Sequence, residues 1–355
     1  MENRIPRKLK VGSPQFNMPG GKITEITVEL TTKCPLYCLH CSTNASPSES
    51  QVLPYPHVLK IIKESMELDA KKIALSGGEP FVYPSIPDLL STASKIDARL
   101  HIYTSGNVMS NGTGIQPITD DLIGSVAETG HKLVFNIEGA DERTHDYITA
   151  TKGSFQNLIV SVQKASEYGV PFEFHFVPMK PNFEQLGEIV SMAEKMGAEG
   201  VSVLRFVPQG RGESNREKLD LTPSQTSQLF KDFARLKSEF PGFIRLGSPW
   251  NALGLEEPTP CASGFGKVLI NPWGEAHVCE AFKHLTKGYN IIDGSLLEFL
   301  HETRELKFLG FLKNKCDSCT NPQWRIKGCI AQTIIRRQTS DTLMDPIYDA
   351  LKIKL

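Results

Sequence analysis

Cys34, Cys38 and Cys41 follow the spacing C-x3-C-x2-C, which puts three thiols on one short loop. A four-iron cluster takes one protein ligand per iron, so three thiolates hold it and leave one iron open to a small molecule. Zinc takes four protein donors in a structural site and three plus water in a catalytic one. The spacing therefore also admits a zinc loop that borrows His40 or a distant cysteine. Five more cysteines, Cys261, Cys279, Cys316, Cys319 and Cys329, are confined to the last third of the chain. Two separated groups read as two metal centres. A disulfide framework is the poorer account, because such chains are short, dense in cysteine and secreted.

Positioning these thiols falls to a repeating pattern. Apolar or β-branched runs at 23–30, 72–75, 100–104, 133–137, 172–177 and 201–206 predict strands. Amphipathic stretches at 57–68, 87–96, 119–129, 155–168, 184–196 and 223–240 predict helices, the last capped by Thr222. Six βα units in series imply an α/β fold with a parallel sheet. They suffice for a partial (β/α)6 TIM-like barrel and are too few for a closed eightfold one. Beyond residue 240, prolines and glycines break the rhythm. The expected organisation is an N-terminal extension at 1–22, a barrel at 23–245, a small loop-rich domain at 246–338 and a tail at 339–355.

Every unusual loop follows a strand. The clustered cysteines follow the first, and Ser76-Gly77-Gly78-Glu79-Pro80 follows the second. Thr104-Ser105-Gly106-Asn107 follows the third, and Glu138-Gly139 closes the fourth. Residues 178–182 and Pro208-Gln209-Gly210-Arg211-Gly212 follow the fifth and sixth. Parallel α/β folds build their sites at the carboxyl ends of strands, so these loops are expected to form a single site.

Composition narrows the class. With 40% hydrophobic and 22% charged residues the chain reads as globular. Thirty-nine basic residues against 40 acidic ones give a net charge of −1, which offers no basic field for nucleic acid. No apolar run approaches the ~18 residues of a bilayer span, and the basic start lacks the apolar stretch of a signal peptide. A cytoplasmic protein with no nucleic-acid or membrane partner is expected.

Cys34-Pro35-Leu36-Tyr37-Cys38-Leu39-His40-Cys41 and Ser76-Gly77-Gly78-Glu79-Pro80, in that order at consecutive strand ends, resemble the paired signatures of the radical S-adenosylmethionine (radical SAM) superfamily. The resemblance implies a [4Fe–4S] cluster on Cys34, Cys38 and Cys41, its open iron chelated by the amino and carboxylate groups of SAM. Reduction then yields a 5′-deoxyadenosyl radical that abstracts hydrogen from an unactivated C–H. His40 fits the aromatic position before the third cysteine. Gly77, Gly78, Glu79 and Pro80 match the segment that holds the methionine amino group. Glycines permit close backbone approach, and Glu79 is an acceptor for an ammonium. Thr104, Ser105 and Asn107 stand where the family has Thr-Asn-Gly, as candidates for the ribose or carboxylate of SAM. Glu138 matches a position that faces SAM hydroxyls. Arg205 is a further candidate, alongside its reading as half of a barrel ion pair.

Cys261-x17-Cys279, with Gly274 five residues before Cys279, resembles the start of a SPASM or twitch auxiliary iron–sulfur domain. Full SPASM continues C-x2-C-x5-C-x3-C and one further cysteine. This chain has Cys316-x2-Cys319-x5-Arg325-x3-Cys329 and no later cysteine. Five thiolates cannot complete two cubanes. One auxiliary [4Fe–4S] cluster is expected, on Cys261, Cys279 and two of Cys316, Cys319 and Cys329. The twitch pattern selects Cys316 and Cys319, the SPASM pattern Cys329. A four-cysteine zinc site is the competing account.

The expected function is a radical SAM oxidoreductase that modifies a peptide or protein side chain, fed by an external electron donor such as flavodoxin or ferredoxin. The same chemistry on a small metabolite stands second, as sugar or aminoglycoside dehydrogenation or tetrapyrrole side-chain decarboxylation. A zinc-stabilised binding protein stands third. Residues 207–212 resemble a loop of the branch holding peptide modifiers and haem-pathway enzymes, against a plain reading as a polar glycine turn.

Overall fold

The computed structural model describes residues 23–110, 114–247, 249–250, 266–302 and 329–337. Twelve strands lie in this region. They are β1 (Glu25–Glu29), β2 (Lys72–Ser76), β3 (Leu100–Thr104), β4 (Asn107–Met109), β5 (Ile115–Pro117), β6 (Lys132–Ile137), β7 (Phe172–Phe176), β8 (Val201–Val203), β9 (Ile244–Leu246), β10 (Lys267–Ile270), β11 (Glu275–His277) and β12 (Tyr289–Asn290). Ten form one open sheet in the order β12-β11-β10-β1-β2-β3-β6-β7-β8-β9, while β4 and β5 pair as a separate hairpin. The eight strands from β10 to β9 run parallel, and β11 and β12 continue the β10 edge antiparallel.

All six strands read from the sequence are present. So are the six helices, at Tyr55–Glu67, Ile86–Lys95, Asp120–Thr129, Ser154–Glu167, Leu186–Lys195 and Pro223–Glu239. Thr222 caps the last in a reciprocal pair with Gln225. The fold adds helix Glu142–Thr149, whose buried residues are His145, Ile148 and Thr149. That face is too polar to show as a hydrophobic stripe. The fold also adds β9 and β10, each too short to show alternation. Strand β9 straddles residue 245, and β10 to β12 extend the same sheet from its other edge, so one sheet spans both sides of the expected boundary.

The two faces of the sheet differ in chemistry. Ile26, Val28, Leu75, Ile102, Phe135 and Phe174 share one core with helix residues such as Ile61, Leu89, Val162 and Ile189. Alternation sends the other set to the barrel interior, and there β1 presents Glu25, Thr27 and Glu29. Glu25 stands in register with Lys72 on β2 and Lys267 on β10, and its carboxylate reaches their amines at 3.4 and 3.1 Å. Glu173 on β7 is similarly held by Lys132 and Arg245, each at 2.7 Å. These ion pairs cross between strands at their amino ends and leave the carboxyl ends free for loops.

At the carboxyl end the second loop is seated directly on the first. Gly78 N–H donates to the Thr31 carbonyl at 2.6 Å and Glu79 N–H to the Lys33 carbonyl at 2.9 Å. Gly77 has φ +120°, and a Cβ there would lie 2.6 Å from the Thr31 carbonyl oxygen. At Gly78 a Cβ would overlap the Lys33 carbonyl. Gly78→Ala is therefore expected to cost about 3 kcal/mol. Gly124→Ala, on a helix with only Tyr168 within 4 Å of the new methyl, should remain within about 1 kcal/mol of the parent or exceed it. Thermal or urea unfolding of the two variants checks both.

Burial alone would raise the Glu25 carboxyl, but Lys267 and Lys72 outweigh it and hold it down at about 2. A depressed carboxylate gives stability that is complete above its unfolded value and is lost as pH falls through the folded one. Glu25→Gln should thus lower unfolding free energy at pH 7 by on the order of 2 kcal/mol. The gap should shrink between about pH 4.5 and pH 2, which paired urea titrations across that range would show.

Candidate active site

The cysteine loop leaves β1 and is tied down by backbone bonds. Tyr37 and Leu39 N–H donate to the Thr149 and Ile148 carbonyls at 3.2 and 2.8 Å, and Cys34 N–H to Ser46 at 3.1 Å. All three cysteines are unpaired and half-buried. Burial pushes the Cys34 and Cys38 thiols well above the ordinary range, and mutual repulsion between the cysteines adds to it.

The second loop joins the third through Glu79. One Glu79 oxygen accepts from Thr104 Oγ1 at 2.7 Å and Phe81 N–H at 3.3 Å. The other accepts from Ser105 N–H at 2.9 Å and Ser105 Oγ at 2.7 Å. Burial raises this carboxyl to about 7 against those hydrogen bonds. The acceptors expected to meet an ammonium are occupied within the protein, and Glu79 ties two loops together. The close approach made by Gly77 and Gly78 is to Thr31–Lys33. Asn107 is wholly buried; its side chain bonds the Ser105 and Ser154 carbonyls and Asn157, which anchors the third loop from behind. Pro80 opens a buried 3-10 turn capped by Glu79.

The fourth loop reaches the first through Glu138, whose Oε1 lies 3.3 Å from His40 Nε2. Burial lowers the His40 pKa, yet the charge and hydrogen bond of Glu138 reverse this and leave it raised. Glu138 Oε2 and His40 Nδ1 are both buried with no hydrogen-bond partner. His145 Nδ1 accepts the Glu138 N–H at 3.1 Å, and its Nε2 is a third buried atom without a partner. Asn182 carries the connection to the fifth loop, donating to the Glu138 carbonyl at 3.0 Å and accepting from Met179 N–H at 2.6 Å.

The sixth loop closes the set. Arg211 N–H donates to the Cys41 carbonyl at 3.0 Å, and its side chain donates to the carbonyls of Cys38 at 3.0 Å and Ala45 at 2.6 Å. Arg205, between β8 and this loop, is buried with its guanidinium 5.1 Å from the Trp250 ring centroid. The sequence reading missed Arg211, Gln209, Asn182 and His145 as site residues. Three of these lie in loops marked as following strands; His145 carries no sequence signal.

From the later group, Cys279 and Cys329 pack in one small cluster with Ala281, Phe282 and Ala331. Cys261, Cys316 and Cys319 lie outside the described residues. Residues just after Cys279 dock on the first loop. Lys283 pairs with buried Glu29 at 2.7 Å and bonds Thr43 at 2.8 Å, and His284 Nε2 lies 2.7 Å from the Ser42 carbonyl.

Among the described residues no three His, Cys, Asp or Glu side chains already stand as a finished metal site. Thiols become metal ligands by giving up their protons, so a cluster bound here would release protons from Cys34, Cys38 and Cys41. The donor set suits an iron–sulfur cluster with one open position. The unpartnered Glu138 Oε2 and His40 Nδ1 beside it suit a polar ligand.

Residues 28–203 match the family described as the radical SAM superfamily. The chain is 25% identical over 316 residues to a PqqA peptide cyclase from Methylocella silvestris, covering 86% of this chain and 82% of that one. It is 24% identical over 315 residues to the PqqA peptide cyclase of Rhizobium meliloti, with the same coverage. Streptococcus suis SuiB bound to precursor peptide SuiA has the same fold, with a TM-score of 0.71 at 16% identity, over 92% of this chain and 76% of that one. Native anSMEcpe with bound AdoMet matches at 0.66 and 13% identity, over 93% and 95%. Thiol spacing, the glycine-seated second loop and the parallel partial barrel agree with these matches: the chain belongs to the radical SAM superfamily of enzymes.

Proposed function

We propose that the chain is a radical SAM enzyme that oxidatively modifies a side chain of a peptide or protein. The observation that carries this reading is the joining of six strand-end loops around Cys34, Cys38 and Cys41, in a chain whose relatives over most of its length are named peptide cyclases. When bound, a [4Fe–4S] cluster with SAM supplies a carbon-centred radical able to take hydrogen from an unactivated C–H. The chain's own residues orient and enclose. Cys34, Cys38 and Cys41 hold the cluster, Glu79 fixes Thr104 and Ser105 at the rim, and Glu138 offers its free oxygen to SAM hydroxyls. His40, held by Glu138, walls the site beside the third thiol.

We place one auxiliary [4Fe–4S] cluster in the region 246–338, with Cys279 and Cys329 as two of its ligands because they share one packed cluster. An oxidative reaction needs an outlet for electrons, and this centre provides it. Flavodoxin or ferredoxin is the class of donor for the first cluster, in a reducing cytoplasm. No described helix is long and apolar enough to cross a membrane.

Two measurements test the proposal on anaerobically reconstituted protein. The parent should hold about eight irons, at four per cubane cluster, and release 5′-deoxyadenosine from SAM. Joint replacement of Cys34, Cys38 and Cys41 by Ala should leave about four irons and abolish that release. A parent that holds only zinc and never cleaves SAM would sink the reading. In a separate experiment, Cys329→Ala should remove the auxiliary cluster's signal while 5′-deoxyadenosine release persists; full retention of about eight irons would show that Cys329 is not a ligand.

A further inference from the structure

The loop 206–212 touches both cysteine groups. On one side Arg211 binds three carbonyls of the first loop, at Cys38, Cys41 and Ala45, and its guanidinium lies 4.0 Å from the Tyr37 ring centroid. Gly210 adopts φ +56°, and a Cβ there would come within 2.8 Å of Cys41, Ser42 and Asn44 oxygens. On the other side Gln209 Nε2 donates to the Ala281 carbonyl at 2.7 Å, two residues beyond Cys279. Val207 packs against the Cys279 and Cys329 cluster, and Gln332, three residues beyond Cys329, donates to the Phe206 carbonyl at 2.8 Å.

Among the described residues Arg211 has no carboxylate within ion-pair distance. Its hydrogen bonds all go to carbonyls, so its charge is not neutralised locally. A cation fixed beside the ligands of a cluster favours the more negative, reduced state of that cluster.

We propose that this loop bridges the two cysteine groups, with Arg211 as a positioning residue that holds the three-cysteine loop and supplies a fixed positive charge to its cluster, and Gln209 as the strut to the second group. The inference rests on the radical SAM reading and adds to it a specific element of control. It also gives residues 207–212 a physical role in place of a plain turn. Lysine in place of Arg211 keeps the charge and loses the planar fork, which separates the two parts of the role.

The test uses the full reconstituted chain. The first cluster is identified as the one whose reduced electron paramagnetic resonance signal changes on adding SAM, and its midpoint is measured by redox titration without SAM. Hydrogen exchange is followed at amides 38–45 and 279–283. Arg211→Gln should move the midpoint to more negative potential and speed exchange at 38–45 by roughly tenfold or more. Arg211→Lys should return the midpoint toward the parent while exchange at 38–45 stays fast. Gln209→Leu should speed exchange at 279–283 and leave the first midpoint unchanged. A parental midpoint and parental exchange in Arg211→Gln overturn the proposal. If that variant does not fold, Arg211→Lys decides, and parental exchange at 38–45 in it overturns the positioning role. Absence of a SAM-responsive signal in the parent instead counts against the underlying radical SAM reading.

Discussion

Gly77 and Gly78 lie so close to Thr31–Lys33 that neither position has room for a side chain. Two backbone hydrogen bonds fill the contact, and Cys34 is the next residue along. The first cysteine is thus placed by a main-chain contact between neighbouring parallel strands, which is stiffer than any contact made by a side chain with rotamers to lose. Everything else at this edge of the sheet builds outward from that seam. Glu79 carries it to the third loop, His40 to the fourth, and Arg211 brings in the sixth.

Two buried glutamates at this edge do opposite work. Glu79 has no cation beside it among the described residues and survives burial because four donors surround its two oxygens. Glu138 has one oxygen against His40 and one with no partner. A saturated carboxylate ties loops together, while a half-satisfied one keeps an acceptor unspent. Their counts of hydrogen bonds separate them; their residue type and strand-end position do not.

The barrel interior is unusually polar for a buried face, and part of it is sealed by the segment after Cys279. Thr27 donates to Glu280 at 2.9 Å, and Glu29 binds Lys283. Charges taken from water need partners, and Glu29 of β1 finds its partner in the segment that carries the second cysteine group. Docking of that segment therefore also neutralises Glu29, which ties the two cysteine-bearing regions together.

Most of the fold was legible in the amino-acid order. The six strands and six helices follow from periodicity, and the thiol and glycine spacings carried the family. These are local signals, written within a few residues of one another. Strands β9 and β10 escaped notice because three or four residues cannot display a period, and because β10 finds its partner β1 only after the chain has crossed the whole sheet. The site divided in the same way. Which residues line the carboxyl edge was readable, since strand order fixes that. What each side chain does there was not. Glu79 bonds across two loops, Asn107 bonds the third loop to Ser154, and Arg211 bonds the cysteine loop. Those roles depend on which donors and acceptors arrive from distant loops, and only the tertiary packing brings them within hydrogen-bonding distance.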